Sequence, residues 1–162
     1  MIFVTVGTHE QPFNRLIQEV DILVDKGIIK EEVIIQTGYS DYIPNSCKYK
    51  KMLSFQDMNT LTKDARIIIT HGGPASILLA YSYGKVPVVV PRQKKYGEHV
   101  DNHQLLFCKR LEKEKKIILV DDIKSLEEKL LNYNNSLKKI ERTNLNKTNF
   151  IKNFKDAVLE IM

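Results

Sequence analysis

Ile67-Ile68-Ile69-Thr70 runs without a break into His71-Gly72-Gly73-Pro74 and on into Ala75-Ser76-Ile77-Leu78-Leu79-Ala80. A β-branched run of this kind suits a strand buried on both faces. Two glycines permit a sharp turn and a close approach of the backbone. Pro74 suits the first turn of a helix, where its missing N–H has no partner to lose. Strand, tight turn and helix in that order leave the N–H groups of the helix start pointing out of the turn. Such a start carries a partial positive charge and unpaired donors, so it is a natural seat for a phosphate.

The same pattern repeats along the chain. Ile2 to Val6 ends at Gly7-Thr8-His9 and is followed by Phe13, Leu16, Ile17, Val20 and Leu23 at helical spacing, with Pro12 near the start and Gly27 at the end. Val33-Ile34-Ile35 reads as a second strand, and Lys51-Met52-Leu53 is a weaker third candidate. Gln56 to Lys63 reads as a helix leading to Ile67-Ile68-Ile69. The stretch Ala75 to Tyr83 is apolar nearly all round, which predicts a buried helix ahead of a fifth strand at Pro87 to Val90. Val100 to Glu112 reads as helical, Ile117 to Val120 as a sixth strand, and Ile123, Leu126 and Leu130 mark another helix. Short apolar strands alternating with helices predict an α/β fold: a Rossmann-like parallel sheet of about six strands, covered by helices on both faces and joined by right-handed crossovers.

Residues 1–132 are expected to form this domain, residues 133–148 a polar linker and residues 149–162 a C-terminal amphipathic helix. Phe150, Ile151, Phe154, Val158 and Ile161 form the last apolar stripe, which would pack on its own domain or dock a partner. A chain of 162 residues that is 43% hydrophobic and 28% charged belongs to the globular class. Its apolar runs are far below the roughly 20 residues that span a bilayer. No secretory leader precedes the first strand, so a cytoplasmic location is expected. The net charge of +5 comes from a Lys- and Asn-rich composition without interleaved Arg and aromatic residues, and no nucleic-acid partner is expected. Cys47 and Cys108 lack metal-site or redox spacing and are read as reduced bystanders.

In an open parallel sheet the loops at the carboxyl ends of neighbouring strands share one crevice. Three loops are candidates: Gly7-Thr8-His9; His71-Gly72-Gly73 with Ser76 behind it; and Glu98-His99-Val100-Asp101-Asn102-His103-Gln104. The dinucleotide fingerprint, the phosphate-binding loop of ATPases and the nucleophile elbow of hydrolases are all missing. His71, His99 and His103 with Glu98 and Asp101 are residue types that hold metals, but no His-Glu-x-x-His helix or Cys partner accompanies them. No metal site and no cofactor are expected. An imidazole beside a phosphate gains from protonation, and Glu98 and Asp101 are suited to accept from sugar hydroxyls. Phosphate together with a polyhydroxyl group is the implied ligand.

Residues 2 to 9 (IFVTVGTH), 70 to 77 (THGGPASI), 84 to 91 (GKVPVVVP) and 97 to 104 (GEHVDNHQ) resemble the donor-binding half of GT-B glycosyltransferases of the MurG type, glycosyltransferase family 28. The chain is more closely similar to the small catalytic subunit of split bacterial capsule and exopolysaccharide glycosyltransferases. The resemblance covers roughly residues 1 to 130 and implies one half of a GT-B fold. It implies a UDP-sugar donor, inverting transfer of a hexose without a metal, and a lipid-linked saccharide acceptor. A membrane-anchored partner subunit would carry the acceptor half and hold this chain at the inner face of the plasma membrane.

By that resemblance the donor diphosphate would lie near Gly7 and Thr8 and at the helix start Gly72-Gly73, with His71 and Ser76 also in the donor-binding set. Glu98, His99, Asp101, Asn102, His103 and Gln104 would form the sugar end, with Asp101 and Gln104 touching it. Where many relatives carry a Glu for the ribose hydroxyls, this chain has Leu79. The catalytic base is either His9, since histidine is the residue type suited to proton transfer near neutral pH, or a residue of the partner subunit. A regulatory nucleotide-binding module, or a nucleotide-sugar hydrolase or epimerase, would use the same crevice.

Overall fold

A computed structural model describes residues 1–143. Its elements are β1 (Ile2–Thr5), α1 (Asn14–Asp25), β2 (Val33–Gln36), β3 (Lys48–Lys50), α2 (Phe55–Asp64), β4 (Ile67–Thr70) and α3 (Pro74–Ser82). They continue with β5 (Val88–Val89), α4 (His103–Lys113), β6 (Ile118–Leu119), α5 (Leu126–Leu131) and α6 (Tyr133–Thr143). The strands form one sheet in the order β3-β2-β1-β4-β5-β6, and every pair is parallel. The expected α/β class and six-stranded Rossmann-like sheet are therefore present. The chain reverses its direction of winding between β1 and β4, and a crevice opens at their carboxyl ends.

Strand periodicity explains both faces of the sheet. Ile2, Val4, Ile67, Ile69, Val88 and Ile118 point to one side and pack with Leu16, Val20 and Leu23 of α1 and with Leu126 and Leu130 of α5. Phe3, Ile68, Val89 and Leu119 point to the other, where they meet α2, α3 and α4 through Leu61, Ala80, Ile77, Phe107 and Leu111. A sheet buried on both faces needs apolar residues at successive strand positions, hence the continuous Val/Ile runs.

Two expectations are corrected. The third strand lies at Lys48–Lys50, not 51–53, and all three of its residues are exposed. Among the described residues it is the sheet edge, paired only to β2, so it has no apolar run to betray it. The stretch expected to start a polar linker is helical over Tyr133–Thr143. Tyr133, Leu137 and Ile140, at helical spacing among Asn and Lys, pack into the α1 and α5 core, and the Tyr133 hydroxyl donates to the Val86 carbonyl at 2.8 Å. The helix expected over 149–162 lies outside the described residues. Among the described residues no helix is long and apolar enough to cross a membrane.

Candidate functional site

The crevice is built on β1 and β4, paired in register from Ile2 with Ile67 to Thr5 with Thr70. The pairing continues one step further, His71 N–H donating to the Thr5 carbonyl at 3.2 Å. The Gly7 and His71-Gly72-Gly73 turns therefore lie side by side. Gly7 has φ +76°, a left-handed conformation that glycine adopts without strain.

These glycines have a use that the sequence did not reveal. A Cβ on Gly7 would stand 2.5 Å from His71 Nε2, and a Cβ on Gly73 would overlap the same atom. The missing side chains make room for the His71 ring, which sits between the two turns. Gly72 backs onto α4, where a Cβ would meet Cys108 Sγ at 2.8 Å and Gln104 Cβ at 2.9 Å.

His71 is buried, and desolvation, followed by the nearby Arg92 charge, pushes its pKa down to about 3. Burial on this scale leaves the His71 imidazole uncharged at neutral pH. Its ring Nδ1 lies 3.3 Å from the Thr70 hydroxyl. Behind it α3 begins at Pro74 with Gly73 as N-cap and no side-chain capping bond. Ser76 stands in the first turn, half-buried, and Thr8 is exposed at the tip of the facing loop. Leu79 is half-buried one turn further along α3.

His9 joins this crevice from the β1 side. Its Nε2 lies 2.9 Å from Gln11 Oε1, and its ring stacks on His99 with centroids 4.7 Å apart and an angle of 18° between the planes. Desolvation is the main cause lowering the His99 pKa, and Asp101 acts against it. Asp101 lies between two imidazoles, Oδ1 at 3.1 Å from His99 Nδ1 and Oδ2 at 2.8 Å from His103 Nδ1. It also accepts from the His103 backbone N–H at 2.9 Å, the largest cause holding its carboxyl below the usual range. All four histidines of the chain thus stand at the carboxyl edge of the sheet.

The rest of the third loop is occupied with holding itself in place. Glu98 is buried and receives two hydrogen bonds from Arg15, Nε to Oε2 at 3.0 Å and Nη2 to Oε1 at 2.9 Å, plus the Gln93 N–H at 3.1 Å. Its oxygens face protein donors, so its observed work is to anchor the loop. The Asn102 side chain accepts from Lys94 N–H at 3.0 Å, and Gln104 Oε1 accepts from Arg92 N–H at 3.1 Å.

Two arginines passed over in the sequence organise this. Arg92 is completely buried and donates to the carbonyls of Val6 at 2.7 Å, Gln11 at 2.6 Å and Glu98 at 3.0 Å. Desolvation brings its pKa down to about 10, opposed by Glu98, so it stays charged at neutral pH. It ties the loop after β1 to the loop after β5 and so keeps His9 against His99. Arg15 lies 4.4 Å from the centre of the Tyr96 ring and donates to the Pro91 carbonyl at 3.2 Å. The signal available in the sequence was a cation directly after the apolar run Pro87 to Pro91, where a charge must find partners to be tolerated. Among the described residues no group of three or more His, Cys, Asp or Glu side chains is arranged to hold a metal ion.

This sheet is Rossmann-like, and its fold matches one half of a GT-B glycosyltransferase. The model of the glycosyltransferase family 28 C-terminal domain matches residues 1–160, and the chain belongs to that family. The fold is similar to the crystal structure of the glycosyltransferase SnogD from Streptomyces nogalater, with a TM-score of 0.55 and 18% identity. That match covers 99% of this chain but 43% of SnogD, so the chain spans less than half the length of the structure it resembles. Comparison with curated proteins gave no match.

Proposed function

We propose that this chain is the donor-binding subunit of an inverting, UDP-sugar-dependent glycosyltransferase. It transfers a hexose of the galactose, glucose or N-acetylglucosamine class to a lipid-linked saccharide in capsule or exopolysaccharide synthesis. A membrane-anchored partner subunit supplies the acceptor half and keeps this chain at the inner face of the plasma membrane. The observation that carries the reading is the convergence of the uncapped start of α3 and the Gly7 loop on one crevice, beside the stacked His9 and His99 rings.

In this reading the diphosphate sits on the N–H groups at the start of α3, where the helix dipole favours a negative charge. The stacked His9 and His99 rings stand beside this seat, where an imidazole N–H can donate to a diphosphate oxygen. The Gln104 amide, its oxygen held by Arg92 N–H, turns its NH2 toward the sugar, and Asp101 accepts from a sugar hydroxyl. Glu98 serves the sugar indirectly, by fixing the loop. His9 is the base on this chain that could take the acceptor proton; the alternative base belongs to the partner.

Calorimetric titration of the full chain with UDP and with UMP tests the phosphate seat. The β-phosphate should improve affinity at least tenfold, because two charge-assisted hydrogen bonds contribute about 1.5–3 kcal/mol each. Equal affinities would remove the diphosphate from the α3 start.

A further inference from the structure

We propose that the β3 edge of the sheet docks directly on an anionic bilayer surface. This goes beyond the donor reading, since it needs neither UDP nor a partner subunit. The surface comprises β3, the 51–54 connection and the start of α2. Phe55 opens α2 and is 84% exposed, Tyr39 is 52% exposed and Met52 is 40% exposed. Beside them runs an open groove of about 420 Å³ lined by Ile34, Leu53 and Leu61, by Lys48 and Lys50, and by one carboxylate, Asp57.

The bonds from Thr37 N–H to the Lys50 carbonyl (3.0 Å) and from Gly38 N–H to the Lys51 carbonyl (2.8 Å) bring Lys51 beside Tyr39. Its ammonium lies 5.7 Å from the Tyr39 ring centre. Lys48 is paired with Glu32 at 2.6 Å, whereas neither Lys50 nor Lys51 has a carboxylate within ion-pair distance among the described residues.

Lysines on an edge strand have an ordinary use, since they discourage pairing with another strand. That use accounts for Lys48 and Lys50. It leaves Phe55, Met52 and Tyr39 unexplained, because exposed apolar side chains beside an open edge invite aggregation unless something covers them. A short β3 carrying lysine at two of its three positions also makes a poor template for a partner strand. A lipid interface satisfies both sets of residues at once. Aromatic and apolar side chains enter the headgroup region while lysines meet anionic phosphates.

The position of the patch is consistent with this occupant. Tyr39 follows Gly38, where a Cβ would stand 2.5 Å from the Gly7 carbonyl oxygen, so the patch shares the carboxyl edge of the sheet with the crevice. Docking there holds the crevice at the membrane surface.

The test is co-sedimentation of the full chain with vesicles of equal parts phosphatidylglycerol and phosphatidylcholine, and with phosphatidylcholine alone. Wild type should bind the anionic vesicles, weaken as salt rises, and leave the neutral ones. Each lysine near an anionic surface is worth about fivefold in affinity, so Lys50→Glu/Lys51→Glu should lose at least about 25-fold. Phe55→Ser should also weaken binding, and Phe55→Trp should keep it. The matched charge change Lys109→Glu/Lys113→Glu on exposed positions of α4 should lose little. Failure of wild type to bind, equal binding by wild type and the β3 variants, or equal losses from the β3 and α4 pairs would overturn the proposal. So would β3 variants that keep vesicle binding but lose the partner subunit, which would make this face a protein interface.

Discussion

His71 Nε2 occupies the space that a Cβ would need at both Gly7 and Gly73, so one buried imidazole holds the two turns of the switch point at their observed separation. This changes what a substitution at Gly73 reports. Gly73→Val should destabilise the fold by driving the ring out of its slot, at an overpacking cost of about 1–3 kcal/mol. Thermal melts check this. The double variant His71→Ala/Gly73→Ala should recover much of the loss seen in Gly73→Ala alone. If His71→Ala gives no relief, the ring is not what Gly73 accommodates.

His71 also sets a pH dependence. A histidine whose folded pKa is lowered from 6.5 to about 3 contributes stability that is fully present above the unfolded value and is lost as pH falls from 6.5 toward 3. The folded state binds fewer protons in that window, so acid favours unfolding. Denaturant midpoints measured between pH 7 and pH 4 should fall in wild type and fall less steeply in His71→Gln. Parallel slopes would mean that other groups carry the acid sensitivity.

The Arg15–Glu98 pair joins α1 to the third loop through two hydrogen bonds, with Glu98 only 3% exposed. Removing one member of such a pair leaves a poorly solvated charge behind, at a cost of about 3–5 kcal/mol. Glu98→Ala should approach that loss in chemical denaturation. In the proposed transferase it should also raise the KM for the sugar donor, because His99, Asp101 and Gln104 ride on the same loop. A variant as stable as wild type would show that the loop is held elsewhere.

His9→Ala separates the two candidates for the base. If His9 takes the acceptor proton, turnover in the reconstituted pair falls by about a hundredfold or more with donor affinity unchanged. The alternative result, weaker UDP-sugar binding with a proportionate change in turnover, gives His9 a place on the phosphate and leaves the proton to the partner.

The sequence was most informative where burial is two-sided. Ile2 to Thr5, Val33 to Gln36 and Ile67 to Thr70 are almost wholly buried, and only strands covered on both faces require such runs. β3 was displaced because an edge strand of Lys-Tyr-Lys needs no apolar residue, its bonds to β2 being backbone only. α6 was missed because Tyr133, Leu137 and Ile140 are diluted by Asn and Lys that face solvent. At the site, the crevice loops were legible from glycine and histidine at strand ends. The roles of Glu98, Arg15 and Arg92 were not, since each depends on partners distant in sequence. A carboxylate in a polar loop reads the same whether it awaits a sugar or already holds an arginine.

In the proposed function this crevice binds the donor for a transfer completed by a second half. The most direct test is a transfer assay with a UDP-hexose and a lipid-linked saccharide acceptor, run with this chain alone, with the membrane-anchored subunit alone, and with both. Product should form only with both, and should be lost when His9 and His99 are replaced together. Transfer by the partner alone, or UDP-sugar hydrolysis by this chain alone at the rate of the pair, would contradict that function.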